Sequence, residues 1–393
     1  MAESVENAVR LLKELIAIPS VSRDEARTAE RLYCYLAECG ARPQRLHNNV
    51  WAVAGEYDPA LPTLLLNSHH DTVRPSPAWS RDPFTPSVEQ GRIYGLGSND
   101  AGASLVCLTE VFLEFCSGFN RPCNSLISNR EPLNRKPLNR KSLRRKPYNL
   151  ILALSAEEEC SGERGIRALL PEIARQYRVD MAIVGEPTSM QASTAERGLV
   201  VLDCTARGRS GHAARNEGVN ALYAAVDDIA ALRNFRFERE SAALGPIGVA
   251  VTQIEAGTQH NVIPDSCRFV VDIRTTDAYT NEQTVDILRS LLHSEAVPRS
   301  TRIRASVIAD DHPLVRAAVA AGCTTFVSPT ASDRTLMPFP ALKIGPGESS
   351  RSHTADEFVC TEEIAAGLEV YRKILNNMDL PDRTADDPPL RTE

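Results

Sequence analysis

The chain has 393 residues, of which 42% are hydrophobic and 24% charged, and a formal net charge of -7. That length can bury a large core and allows two domains, and the acidic balance argues against a general nucleic-acid binder. No apolar run approaches the length of a membrane span, residues 1–20 open acidic without the basic start of a signal peptide, and the ten cysteines are scattered. These features predict a cytoplasmic protein with reduced thiols.

In chain order, Val5, Ala8, Val9, Leu11, Leu12, Leu15 and Ile16 recur at helical spacing, and 24–40 is a second amphipathic helix closed by Gly40. Short strands are expected over 44–54 and 63–68. The second runs through Leu64-Leu65-Leu66 into Asn67-Ser68-His69-His70-Asp71, an apolar strand that stops in two imidazoles and a carboxylate. His69 and Asp71, two apart in extended chain, point to the same side. Residues 75–91 are rich in Pro, Ser and Asp and read as loop. Gly95 and Gly97 loosen the turn before Asp100, and a helix resumes over 103–115. Asp100 therefore sits near a helix start, where it could cap or ligate.

Residues 117–149 look foreign to this pattern. They hold three repeats of a short unit, Pro-Leu-Asn-Arg-Lys twice and then Ser-Leu-Arg-Arg-Lys, read as a solvated disordered loop, with a polyanion-binding arm as the functional alternative. The core resumes with an apolar strand over 149–154, followed by Ser155-Ala156-Glu157-Glu158-Glu159. A helix over 165–176 and a buried strand over 181–184 lead to Gly185-Glu186-Pro187-Thr188. The alternation predicts an α/β domain with a mainly parallel sheet.

From about 197 the order becomes strand (199–207), helix (217–233), strands (247–256 and 267–276), helix (281–293) and strand (301–308). This is the βαββαβ order of a ferredoxin-like sheet with helices on one face, one edge of which could pair with a second copy. A helix over 313–321, the stretch 345–358 containing His353, a final helix over 361–376 and a polar frayed tail after Pro381 return to the first domain. The expected domains are 1–196 with 309–393, and 197–308.

His69, Asp100, Glu158 or Glu159, Glu186 and His353 each fall at a strand end or in a glycine-rich loop. Two imidazoles with several carboxylates suit a pair of divalent cations such as zinc, and so many acids gathered without cations would repel one another. The run Glu157-Glu158-Glu159 can supply both a ligand and a general base. Taken singly, each acid is more simply a capping or solvated residue, and the set as a whole carries the reading.

These ordered motifs resemble the M20 family of metallopeptidases, the group that contains acetylornithine deacetylase, succinyl-diaminopimelate desuccinylase, aminoacylase and carboxypeptidase G. His69-His70-Asp71-Thr72-Val73 is similar to the family's His-x-Asp-Thr-Val, which implies His69 as a metal ligand and Asp71 as the residue orienting it. Gly97-Ser98-Asn99-Asp100 implies Asp100 as the bridging carboxylate. Glu157-Glu158-Glu159 implies Glu158 as general base and Glu159 as ligand, with a register shifted by one (Glu157 base, Glu158 ligand) left open. Glu186 and His353 complete the implied ligands.

The resemblance also implies that 197–308 serves as a lid and homodimer interface. His212 would reach the partner's site to stabilise an oxyanion, and Asn261 and Arg274 would bind substrate. A surface ion pair is the plain alternative for Arg274, and a solvated turn for His212. Ala101-Gly102-Ala103 departs from the Met-Lys-Gly that many relatives carry.

The implied enzyme is a dinuclear zinc amidohydrolase, with cobalt as alternative metal, acting on an N-acyl amino acid. Its expected identity is an acetylornithine deacetylase of arginine biosynthesis. Hydrolysis of N-acetylcitrulline, N-succinyl amino acids or di- and tripeptides is the alternative within that chemistry, and a non-catalytic binding protein on the same scaffold the alternative outside it.

Overall fold

The structure, a computed structural model, describes residues 2–117, 148–215 and 217–380. The basic repeat and the polar tail expected to be disordered lie outside the described residues. Two compact units emerge. One comprises residues up to Thr194, Ile308–Phe326 and residues from Ser332, and the other Ala195–Val307 with Val327–Ala331.

The first unit is built on the strand Thr63–His69, buried at every position. It pairs in parallel with Asn149–Ser155 on one side and Met181–Val184 on the other. Ala341–Lys343 adds in parallel to 181–184, and Asn49–Val53 adds antiparallel to 149–155. Alternation sends the strand side chains to two covered faces. Leu64, Leu66, Leu150, Leu152, Leu154 and Ile183 share one cluster with residues of helices Ala2–Ile16, Ala103–Ser117 and Thr361–Asn377. Leu65, Ile151, Ala153, Ala182 and Val184 pack on the other face with Trp51 and the helix Ile166–Ala174. Each such leucine is worth about 1.5–3 kcal/mol on burial. This explains why the apolar runs end where they do, because the polar residues begin where the sheet stops.

A small three-stranded sheet, Ser87–Glu89, Arg92–Tyr94 and Phe358–Cys360, lies in the same unit. Its hairpin turns through Gln90 and Gly91 at φ 49° and 79°, the left-handed conformations of a tight hairpin. The loop expected over 75–91 therefore contains a strand at its end.

In the second unit Gly198–Arg207, Ser266–Thr275, Gly248–Ala256 and Glu295–Pro298 form a four-stranded antiparallel sheet. Helices Ala221–Asn234 and Asn281–Arg289 pack on one face, the second opened by a Thr280–Gln283 capping box. The βαββαβ order is present, but its fourth strand is 295–298 and not 301–308. Pro298 closes that strand on a sheet edge, where the missing N–H costs nothing, and its presence masks the strand in sequence. Of the expected segment Ser306–Val307 forms a two-residue strand pairing with Ala195 and Glu196, and Ile303 makes an isolated bridge to Leu199. No helix among the described residues is long and apolar enough to cross a membrane.

Candidate metal centre

Three neighbouring parallel strands deliver acids and an imidazole at their carboxyl ends, the place where open α/β sheets hold ligands. His69 ends Thr63–His69, Glu158 and Glu159 follow Asn149–Ser155, and Glu186 follows Met181–Val184. Asp100 arrives in the turn Ser98–Gly102, and its peptide to Ala101 is cis. His353 comes from a late loop, with φ of 60°.

Ligand atoms of His69, Asp100 and Glu186 lie within 4.8 Å of one another, and so do those of Asp100, Glu159 and His353. Asp100 belongs to both groups. Its Oδ1 is 3.4 Å from His69 Nε2, and its Oδ2 is 3.6 Å from His353 Nε2. His353 Nε2 also meets Glu159 Oε2 at 2.9 Å, and His69 Nε2 lies 3.8 Å from Glu186 Oε1. The remaining acid, Glu158, places Oε2 3.9 Å from His69 Nε2 without entering either group.

Supporting contacts fix these side chains. His69 Nδ1 donates to the Asp71 carbonyl at 3.0 Å, which leaves Nε2 to face Asp100 and Glu186. The Asp71 carboxylate accepts the amides of Glu158 (3.0 Å) and Glu159 (3.2 Å) and the Ser22 hydroxyl (2.6 Å). Glu157, at φ 55°, turns away and accepts the Arg164 amide at 3.2 Å. His70 donates from Nε2 to the Asn48 carbonyl, and burial pushes its imidazole down to about 4, so it is a neutral core residue.

The electrostatics are those of crowded carboxylates. Burial lifts Glu158 well above the usual carboxylate range; His69 opposes this, and Glu186, Asp333 and Glu159 reinforce it. Burial works against a charged His69, yet Glu158, Asp100, Asp71 and Glu186 hold it well above its ordinary value. Burial also opposes ionisation of Asp100, and His69, Ser352 and His353 outweigh it and lower the carboxyl. The Glu159 hydrogen bond leads in raising His353 to about 9. Buried ions cost several kcal/mol each unless compensated. Oxygen and imidazole donors in two groups sharing one carboxylate fit a pair of divalent cations, which would supply that compensation.

Three supporting acids escaped the sequence reading. Glu357 accepts the amides of Gly97 (3.2 Å), Asn99 (2.8 Å) and Asp100 (2.9 Å), and burial raises it to about 8. It thereby sets the turn that carries Asp100. Glu25, fully buried, accepts the Asn48 side chain at 3.0 Å and the Glu157 amide at 3.3 Å. Asp333, also buried, accepts the Ser155 hydroxyl at 2.6 Å. Glu25 and Asp333 stand beside no apolar run, and Glu357 precedes only the three-residue strand Phe358–Cys360, so the fold is what exposes their roles.

The expected substrate residues lie in the second unit. Gly211–His212 pairs with Val262–Ile263, and the Asn261 carbonyl accepts the Ala213 amide at 3.1 Å, so His212 and Asn261 share one short ribbon. Both are exposed. His212 Nδ1 accepts the Ala214 amide at 3.1 Å. Arg274 makes a two-pronged contact with Asp272, at 2.8 and 3.2 Å, on its own strand.

Residues 65–128 match the family description Peptidase family M20/M25/M40, and residues 194–300 match Peptidase dimerisation domain. The chain belongs to the M20 family of metallopeptidases. It is 28% identical over 307 residues to succinyl-diaminopimelate desuccinylase of Acidovorax ebreus (strain TPSY), covering 72% of this chain and 71% of that one. It is 25% identical over 399 residues to the enzyme of the same name from Stenotrophomonas maltophilia (strain R551-3), covering 93% and 97%. The fold of this M20 chain is shared with the aminopeptidase PepT of Bacillus cereus ATCC 10987, with TM-score 0.71, 18% identity and coverage of 95% and 98%. It is shared too with a Bacillus subtilis protein described as a dinuclear metal-binding M20 peptidase, with TM-score 0.68, 14% identity and the same coverage. Family membership makes the chain a hydrolase with a divalent-metal site.

Proposed function

We propose that this chain hydrolyses the amide bond of an N-acyl amino acid at a two-metal site, with succinyl the favoured acyl group. One observation carries the reading: two ligand groups share Asp100 while Glu158 stands beside them uncommitted. His69, Glu186 and Asp100 would hold one cation, and Asp100, Glu159 and His353 the other. When bound, the cations polarise the amide carbonyl and make water acidic enough to attack near neutral pH.

Glu158 takes the proton of the attacking water on its carboxylate and returns it to the leaving amine nitrogen. Its backbone, held by Asp71, keeps that carboxylate pointed at the His69 side of the site. Glu157 is engaged with the Arg164 amide, which supports Glu158 over Glu157 as the base. His212 stabilises the oxyanion from a partner copy in a homodimer formed through 197–308, and Asn261 and Arg274 receive the substrate's polar groups. The match to a dimerisation domain over 194–300 supports that arrangement. Arg274 would exchange Asp272 for a substrate carboxylate.

The desuccinylase names of the two relatives favour succinyl over the acetyl group expected from sequence. The test is a hydrolysis panel of N-succinyl-diaminopimelate, N-acetylornithine, N-acetylcitrulline and di- and tripeptides, run with zinc or cobalt and with strong chelator. The expected result is fastest release of succinate, abolished by chelator and restored by either metal. Preference for N-acetylornithine would replace succinyl by acetyl. Metal-loaded protein inert on the whole panel would overturn the hydrolase reading in favour of a binding role.

A further inference from the structure

We infer that Asp333 is a positioning residue, which through the Ser155 hydroxyl fixes the paired strand ends carrying His69 and Glu158. The inference rests on the two-metal reading above and adds a residue that the ligand and base assignments do not use. Asp333 opens the single turn Asp333–Leu336, is 3% exposed and accepts the Ser155 hydroxyl on Oδ2 at 2.6 Å.

Ser155 occupies a pivotal place. It ends the strand Asn149–Ser155, pairs in register with His69, and its carbonyl accepts the His70 amide at 3.0 Å. Glu158 lies three residues further on. The Ser155 oxygen also accepts the Asn67 side-chain amide at 3.0 Å, and Asn67 donates to the Ala153 carbonyl at 3.2 Å. Ser155 has one hydroxyl proton and two acceptors in reach, Asp333 at 2.6 Å and the Ser68 carbonyl at 3.3 Å. The shorter, charge-assisted bond takes it. The result is a directed chain from the Asn67 amide through the Ser155 hydroxyl to the Asp333 carboxylate, tying together the strands that end in His69 and in the glutamate turn.

The anchor itself is rigid. Arg334, fully buried, donates to the Ser193 carbonyl at 2.8 Å and the Thr194 carbonyl at 2.7 Å, and Thr335 donates to the Ser332 carbonyl at 2.9 Å. The turn is thus held by contacts independent of the metal ligands. A buried acid is costly, and an apolar side chain would fill the same space at less cost. What the acid adds is a fixed acceptor beneath the residues whose geometry sets the reaction. Placement errors of about 1 Å can cost about 100-fold in rate.

The test compares Ser155→Ala, Asp333→Ala and Asp333→Asn, each loaded with zinc, by kcat, KM, bound-metal stoichiometry and, in the cobalt form, the visible absorption spectrum. The expected result is kcat lower by about 10–100-fold in Ser155→Ala and Asp333→Ala at unchanged KM and metal content. Asp333→Asn, which keeps an oxygen to accept the Ser155 hydroxyl, should recover most of the loss. Unchanged kcat in Ser155→Ala, a rise in KM alone, or equal losses in the Asn and Ala variants of Asp333 would overturn the inference. Ser155→Ala removes one oxygen, so it keeps the test decisive if Asp333→Ala fails to fold. If the wild-type chain hydrolyses no amide, the functional reading falls by itself. The positioning role is then read from the cobalt spectrum, expected to change in both Ala variants and not in Asp333→Asn; an unchanged spectrum in Ser155→Ala would overturn it.

Discussion

The Glu158 amide donates to Asp71 Oδ1 at 3.0 Å, so the residue behind one imidazole also holds the turn that presents the proposed general base. The same carboxylate accepts Glu159 and Ser22 and lies 3.5 Å from His69 Nδ1. Burial raises the Asp71 carboxyl, and His69 leads the contacts that outweigh burial and lower it. Asp71→Ala would strand two amides and remove the carboxylate beside His69 Nδ1, while the backbone carbonyl that accepts from Nδ1 stays in place. Metal affinity or activity should fall by about 10–100-fold, with Asp71→Asn intermediate because it keeps one acceptor oxygen. Competition titration against a metal-binding dye measures this. Wild-type affinity and rate in Asp71→Ala would show that the turn is held by other contacts.

The turn also separates the two candidate bases. Glu158→Gln should retain bound metal and lose activity by about 100- to 10,000-fold, the range for removing a general base. Glu157→Gln weakens one acceptor for the Arg164 amide and should cost about 1 kcal/mol of stability with activity near that of the wild type. Metal analysis alongside steady-state rates distinguishes the two. The reverse pattern would shift the register by one residue.

His312 supplies a pH effect remote from the metal ligands. Its Nδ1 accepts the Leu314 amide at 3.2 Å and so caps the helix Pro313–Ala320. Burial, helped by Arg316 and opposed by Asp311, lowers its imidazole below the ordinary value. Protonation removes the acceptor and places positive charge at the positive end of the helix. Above about pH 6.5, the unfolded value, the ring is neutral in both states and the cap contributes fully. As the pH falls through that value the unfolded chain takes up a proton that the folded chain resists, so stability is lost. Asn at this position caps without titrating, and a cap is worth about 0.5–2 kcal/mol. His312→Asn should match wild type in thermal unfolding at pH 8 and exceed it at pH 5.5. Parallel curves at both values would show that the imidazole does not titrate in this range.

The sequence displayed the candidate ligands because each follows an apolar strand or a glycine turn, and the sheet brings those ends together. It could not decide between Glu157 and Glu158, since the positive φ at Glu157 breaks the simple alternation of side chains. Glu357 and Asp333 stayed hidden for another reason. Their roles consist of accepting amides and a hydroxyl from residues far away in the chain, and a polar stretch carries no trace of that. The strand Glu295–Pro298 was missed because a proline argues against a strand except at an edge, and edges are not visible in sequence.

Gly102 lies two residues beyond Asp100, and the packing around it leaves no room for a side chain. A Cβ at 102 would lie 2.3 Å from the Gly97 carbonyl oxygen and 2.7 Å from Leu12 Cδ1. The backbone of the Asp100 turn thus presses directly on the helix Ala2–Ile16, and the Gly102 amide donates to the Gly97 carbonyl at 3.0 Å. Any side chain there must displace either that turn or Leu12. Gly102→Ala should therefore destabilise the chain by about 1–3 kcal/mol, the usual cost of overpacking. It should also weaken metal binding, because the displaced turn carries the carboxylate shared by both ligand groups. Gly102→Lys should be no better, since its added charge brings no relief of the clash. Thermal unfolding with and without zinc, together with metal titration, checks both effects. An alanine variant with wild-type stability and affinity would show that the turn yields freely, and that the glycine is not what holds Asp100 in place.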